Sequence, residues 1–173
     1  VGRINVVQWP FFNDTDRKYL NDVLESGYWA YLGPYEKKLE KEFADFCRCR
    51  YAVSATNGTH TLRIALEALG IGPGDEVIVP AMTWQATASA VLDVNATPIL
   101  VDIDSETYTI SPEKIKGALN ERTKCIIPVH LYSCMCDMDK ICEIAADNNL
   151  YIIEDCAHQH GSEWRSKRAG TLG

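Results

Sequence analysis

No stretch of this chain approaches the ~20 apolar residues needed to span a bilayer. Its opening residues, Val1 to Trp9, have neither the basic region nor the long apolar core of a secretion signal. Neither a membrane-spanning nor an exported protein is expected, and the default compartment is the cytoplasm. Positive charge is scarce as well: 17 Lys and Arg stand against 24 Asp and Glu, for a net charge of -7 and a pI near 5.1. The basic residues are scattered, which opposes non-specific binding to nucleic acid. A small anion remains admissible, because a local group of backbone amides dominates within the ~8 Å over which salt lets charges act. Internal repeats and low-complexity segments are missing, as are the glycine spacings of a Walker loop or a dinucleotide fingerprint.

A disulfide framework is not expected either, since seven cysteines are an odd number in a chain without an export signal. Cys47 and Cys49, like Cys134 and Cys136, are separated by a single residue, whereas structural zinc ligands usually have about two to four between them. These four read as small buried or loop thiols, and Cys125, Cys142 and Cys156 as core filling.

What is present is an alternation. A chain of 173 residues, 46% apolar and 24% charged, is long enough for one well-buried domain. From residue 51 onward, short apolar runs predict strands over residues 51–55, 76–80, 98–101, 125–129 and 150–154. Amphipathic stretches predict helices over residues 59–69, 84–92, 112–119 and 138–147. Strands alternating with helices need crossover connections, hence an α/β fold with a mainly parallel sheet and helices on both faces. The unbroken runs Val77-Ile78-Val79 and Tyr151-Ile152-Ile153 suit strands buried on both sides. Ser111-Pro112 marks a helix start, a capping hydroxyl followed by proline at the first helical position.

Residues 1–50 differ in kind: a polar helix over about residues 14–25, an aromatic loop from Ser26 to Pro34, and a helix over residues 35–46. We expect a helical arm, 1–50, packed on an α/β body, 51–173, or on a partner subunit. The segment Trp164 to Gly170 reads as a turn between two strands. The chain then stops at a glycine and lacks an initiating methionine, so a fragment is expected.

Three strand ends carry candidate chemistry. At Thr56-Asn57-Gly58-Thr59-His60 a strand passes through a small polar turn into a helix. Free amides there, with the Thr59 hydroxyl and the close approach that Gly58 permits, would satisfy a phosphate; equally, the turn would simply cap a helix. At Trp84 an indole follows another strand end, placed either to stack on a planar heterocycle or to fill core space. Asp155 ends a buried apolar strand, where a carboxylate needs a compensating cation, donors or a metal, or else caps neighbouring amides. His158 and His160 follow it, but no ligand spacing for zinc is met.

Taken together, these features resemble the DegT/DnrJ/EryC1/StrS sugar aminotransferases, pyridoxal-phosphate enzymes of the aspartate-aminotransferase fold (fold type I). The matching stretches are Thr56 to Leu62, Gly72 to Pro80, Pro128 to Tyr132 and Glu154 to Gly161, with weaker similarity through Gly27-Tyr28-Trp29 and Leu39 to Ala44. The early Trp9-Pro10 and the run Pro80 to Ala88 are most like members that aminate cyclitol ketones or form aminohydroxybenzoate. The resemblance implies that Asp155 faces the pyridine nitrogen, that Trp84 stacks on the ring, that Gly58 and Thr59 bind the phosphate, and that His158 reaches the ring hydroxyl. His130 lies in a family-like segment without an assigned role.

The resemblance further implies a homodimer, glutamate or glutamine as amino donor, and a keto-sugar or keto-cyclitol as acceptor. The family's Schiff-base lysine is expected beyond Gly173, so this stretch alone would be inactive. Two other readings stand beside this one: a dehydratase of the same fold with histidine in place of that lysine, and a non-catalytic metal- or ligand-binding module using Asp155, Cys156, His158 and His160.

Overall fold

A computed structural model describes residues 10–30 and 33–173. Trp9 of the early Trp-Pro pair, and Tyr31 and Leu32 of the aromatic loop, lie outside them. Two polar helices come first, α1 (Asp14–Ser26) and α2 (Pro34–Cys47). Asn13 starts α1 with a capping box: its Oδ1 accepts the Thr15 amide at 2.7 Å, and Asp16 Oδ2 accepts the Asn13 amide at 2.7 Å. No residue of α1 is buried and only Ala44 of α2 is. The two helices are linked by the Tyr35 hydroxyl, which donates to Asp22 Oδ2 at 2.6 Å.

The body follows as α3 (Gly58–Ala68), β1 (Glu76–Pro80), α4 (Gln85–Asp93), β2 (Thr97–Val101), α5 (Pro112–Ala118), β3 (Thr123–Ile126), α6 (Met138–Asn148) and β4 (Tyr151–Ile152). The four strands form one parallel sheet in the order β2-β1-β3-β4. Successive side chains of a strand face opposite ways. Val77 and Val79 of β1 therefore join Leu62, Leu66, Ala90 and Val91 under α3 and α4, whereas Ile78 joins Ile115, Ile141 and Ile144 under α5 and α6. Each Val, Leu or Ile side chain fully removed from water in this way contributes roughly 1.5–3 kcal/mol. A hairpin, β5 (Glu163–Trp164) and β6 (Lys167–Arg168), closes the described chain. Its turn residues Arg165 and Ser166 have φ of 48° and 68°, the pair of left-handed values that matches the twist of a two-residue hairpin.

Four expected elements are corrected. Residues 51–55 form no strand: the Ser54 amide donates to Glu40 Oε1 at 2.8 Å instead of to a ladder, and Tyr51 and Val53 are 71% and 78% exposed. Regular pairing in the strands expected over residues 125–129 and 150–154 stops early, β3 at Ile126 and β4 at Ile152. Pro128 has no N–H to give, so beyond it the main-chain pairing of the two segments is reduced to an isolated bridge, Val129 to Asp155. Trp84 stands before α4 as its N-cap and is not its first helical residue.

Candidate functional site

The carboxyl ends of the strands are where ligands sit in open α/β sheets, and three elements converge there. At the start of α3, Asn57 Oδ1 accepts the His60 amide at 3.0 Å. The Gly58 and Thr59 amides, first in the helix, have no intrahelical carbonyl to reach and remain available to a ligand. A Cβ added at Gly58 would meet no atom within 4 Å, so the space beside it is open. From the end of β1 the chain turns through Trp84, which is 78% exposed, into α4.

After β4 the main chain of Asp155 is fixed from both directions: its amide donates to Pro128 O at 2.9 Å and its carbonyl accepts the His130 amide at 3.1 Å. Its Oδ1 accepts the Ala157 amide at 3.2 Å and its Oδ2 the Thr87 hydroxyl at 3.1 Å. The carboxylate is thus held by donors on both oxygens while still bordering open space.

That space is a cavity of about 310 Å³, bounded by Gly58, Thr59, Leu62, Trp84, Thr87, Asp155 and His158. All five residues singled out from the sequence border it. A larger hollow of about 450 Å³ lies at the amino ends of β3 and β4, between Asn120, Lys124 and Asn149. It faces the wrong end of the sheet for ligand chemistry, and no imidazole or aromatic ring borders it.

Two features escaped the sequence reading. Thr87 is fully buried, with Thr83 Oγ1 3.0 Å from its own hydroxyl. The available signal was the i, i+4 spacing of two hydroxyls across a strand-to-helix turn. Glu154 also proved central, accepting His130 Nε2–H at 3.1 Å together with the amides of Gly170 (2.9 Å), Leu172 (2.6 Å) and Gly173 (2.9 Å). His130 Nδ1 in turn accepts the Cys136 amide at 3.1 Å, which places the proton of the neutral ring on Nε2.

The donor atoms of His130, Glu154 and Cys156 lie within 4.8 Å of one another, a possible metal triad. Both ring nitrogens and both carboxylate oxygens of this group are already engaged in hydrogen bonds within the chain. Among the described residues, the set expected for a metal module, Asp155, Cys156, His158 and His160, forms no such group. The His160 ring instead packs edge-on against Phe43, 5.9 Å between centroids.

Comparison with known proteins bears on this arrangement. L-glutamine:scyllo-inosose aminotransferase of Streptomyces griseus is 46% identical over 172 residues, covering 96% of this chain and 41% of that protein. The crystal structure of 3-amino-5-hydroxybenzoic acid synthase superimposes with a TM-score of 0.92 at 42% identity, over 95% of this chain and 43% of that one. A protein described as a sugar aminotransferase from Streptococcus pneumoniae, in its PMP form, superimposes with a TM-score of 0.90 at 32% identity, over 95% and 45%. The chain thus spans about two-fifths of the length of these relatives, with shares of 41%, 43% and 45%. Residues 11–173 match one family throughout. The chain belongs to the DegT/DnrJ/EryC1/StrS aminotransferases, a pyridoxal-phosphate-dependent family.

Proposed function

We propose that the protein is an aminotransferase that takes an amino group from glutamine or glutamate and places it on a cyclic ketone, a keto-cyclitol or keto-sugar. The observation that carries this reading is the single cavity bordered by Gly58, Thr59, Trp84, Asp155 and His158. Its volume of about 310 Å³ lies at the lower end of the ~300–1,000 Å³ usual for small-molecule and cofactor sites. The donor set suits pyridoxal phosphate from end to end. The α3 amides and the Thr59 hydroxyl receive the phosphate with the helix dipole behind them. The Trp84 indole covers one face of the ring, and His158 reaches the ring hydroxyl.

Asp155 holds the ring nitrogen proton in place. Pairing there relieves the half-buried carboxylate and the heterocyclic cation together. Bound pyridoxal phosphate supplies the electron sink that no side chain provides. The substrate class rests on the Streptomyces griseus relative, whose name states glutamine as donor and a cyclitol ketone as acceptor. We further propose that residues 1–50 form an arm and residues 51–173 part of a cofactor-binding domain, and that the arm packs against a second copy; α1, with no residue buried, leaves the side turned away from α2 for such a contact.

The test is Asp155→Asn in the full-length protein. Turnover with glutamine and a keto-cyclitol should fall on the order of a hundredfold or more, as when a preorganised charge is deleted from an active site, with the denaturation midpoint little changed. Near-normal turnover, or a wild-type protein that binds no pyridoxal phosphate, overturns the reading.

A further inference from the structure

We propose that Thr87, backed by Thr83, is a positioning residue for the Asp155 carboxylate: a two-hydroxyl relay that fixes which oxygen Asp155 presents to the ring nitrogen and keeps the shared proton on that nitrogen. This rests on the cofactor reading above and adds to it residues outside the set that would touch the ring nitrogen. Thr87 Oγ1 lies 3.1 Å from Asp155 Oδ2 and 3.0 Å from Thr83 Oγ1. An ionised carboxylate has no proton to offer, so Thr87 is the donor toward Asp155. Its one proton is then committed, and the Thr83 hydroxyl must donate to Thr87. The charge of Asp155 therefore sets the direction of the whole chain.

The placement is built in. Thr87 is fully buried, its main-chain amide is tied to the Trp84 carbonyl at 3.1 Å, and α4 carries both Thr87 and the preceding indole on one rigid turn. The Ala157 amide on Oδ1 provides the second anchor. Between them the two donors fix the plane of the carboxylate. They also satisfy part of its lone-pair capacity, so a ring nitrogen would meet an anion already held in its charged form. A proton lying between such a carboxylate and a pyridine nitrogen stays on the nitrogen. Hydroxyl chains of this kind strengthen one another in a low-dielectric setting, which gives the outer hydroxyl of Thr83 a reason to be there.

The experiment uses full-length protein loaded with pyridoxal phosphate carrying ¹⁵N in the ring, with two readouts: the ring ¹⁵N chemical shift and the cofactor dissociation constant. Thr87→Val, which keeps shape and loses the donor, should move the ¹⁵N shift toward the unprotonated value and weaken cofactor binding roughly tenfold, the equivalent of one hydrogen bond to a charged group. Thr87→Ser should restore both. Thr83→Val, remote from the carboxylate, should shift the signal in the same direction by less, and it keeps the test decisive should Thr87→Val fail to fold. An unchanged ¹⁵N shift in a folded Thr87→Val protein, or no response in Thr83→Val if that is the only variant obtained, overturns the relay. A wild-type protein that binds no cofactor, or whose ring nitrogen is unprotonated, would overturn the functional reading instead, so the two failures are separable.

Discussion

His130 Nε2–H points at Glu154 Oε2 across 3.1 Å, and water reaches neither side chain, their exposures being 0% and 3%. Twenty-four residues apart in sequence, they tie the segment after β3 to the segment after β4 one position away from Asp155. Burial pushes the Glu154 carboxyl up, but the His130 donor and then the amides of Gly170, Leu172 and Gly173 outweigh it and hold the group below the usual carboxylate range. The folded value thus lies under the unfolded one, near 4.5. The contribution to stability is complete above that pH and is lost as pH falls through the folded value.

Replacing this carboxylate should be costly. Glu154→Ala leaves four donors without their acceptor and should destabilise the fold by about 2–4 kcal/mol, moderated by the partial exposure of the three amides. Urea midpoints measured from about pH 7 down to about pH 3 check the sign: wild type should lose stability more steeply than Glu154→Gln over the acid part of that range. Parallel curves would show that Glu154 is not the group being titrated.

The sequence discloses this architecture unevenly, and for physical reasons. Residues 76–80 match β1 end to end, because a central parallel strand is apolar on both faces and both faces are covered, Val77 and Val79 by one set of helices and Ile78 by the other. Residues 51–55 carry similar apolar content yet form no strand, since a strand exists only with a neighbour, and the Ser54 amide found Glu40 instead. Asp155 was legible as a charge at the end of an apolar run. Thr87 was not: a threonine inside a helix reads as a weak helix former, and only the three-dimensional approach of β4 to α4 gives it a carboxylate to hold. The His130–Glu154 pair was hidden for the same reason.

The cysteines offer a check on the core that is independent of any ligand. Cys125 and Cys136 are fully buried, and desolvation pushes both thiols up to about 12. Since only the thiolate is alkylated at a useful rate, iodoacetamide at about pH 8 should modify the half-buried Cys49 and Cys134 while sparing Cys125 and Cys136 until the protein unfolds. Peptide mass spectrometry reads the order of labelling. Early modification of Cys125 would mean that the face of the sheet under α3 and α4 is not closed.

Thr59 separates phosphate recognition from ring recognition. Its hydroxyl has no partner among the described residues, and its amide belongs to the open first turn of α3. Thr59→Val removes the hydroxyl donor and leaves the amide. Loss of a hydrogen bond to a charged group should weaken pyridoxal-phosphate binding roughly tenfold to a hundredfold. Pyridoxal, lacking the phosphate, should bind both proteins equally. A matching loss for both ligands would place Thr59 against the ring and not the phosphate.

Trp84 makes the sharpest distinction between a structural and a ligand-facing role. A tryptophan whose purpose is to fill core space is buried, and its truncation to alanine costs about 3–5 kcal/mol. Here the residue is 78% exposed, it makes no capping hydrogen bond at the head of α4, and it borders the cavity that Asp155 also borders, from the segment after β4. Trp84→Ala should therefore alter the denaturation midpoint by no more than about 0.5 kcal/mol equivalent, as for other exposed positions. Cofactor affinity should fall by roughly threefold to tenfold, the value of one aromatic stacking contact, and Trp84→Phe should recover most of it. A large loss of stability with unchanged affinity would return the indole to the core and leave one face of the proposed ring uncovered.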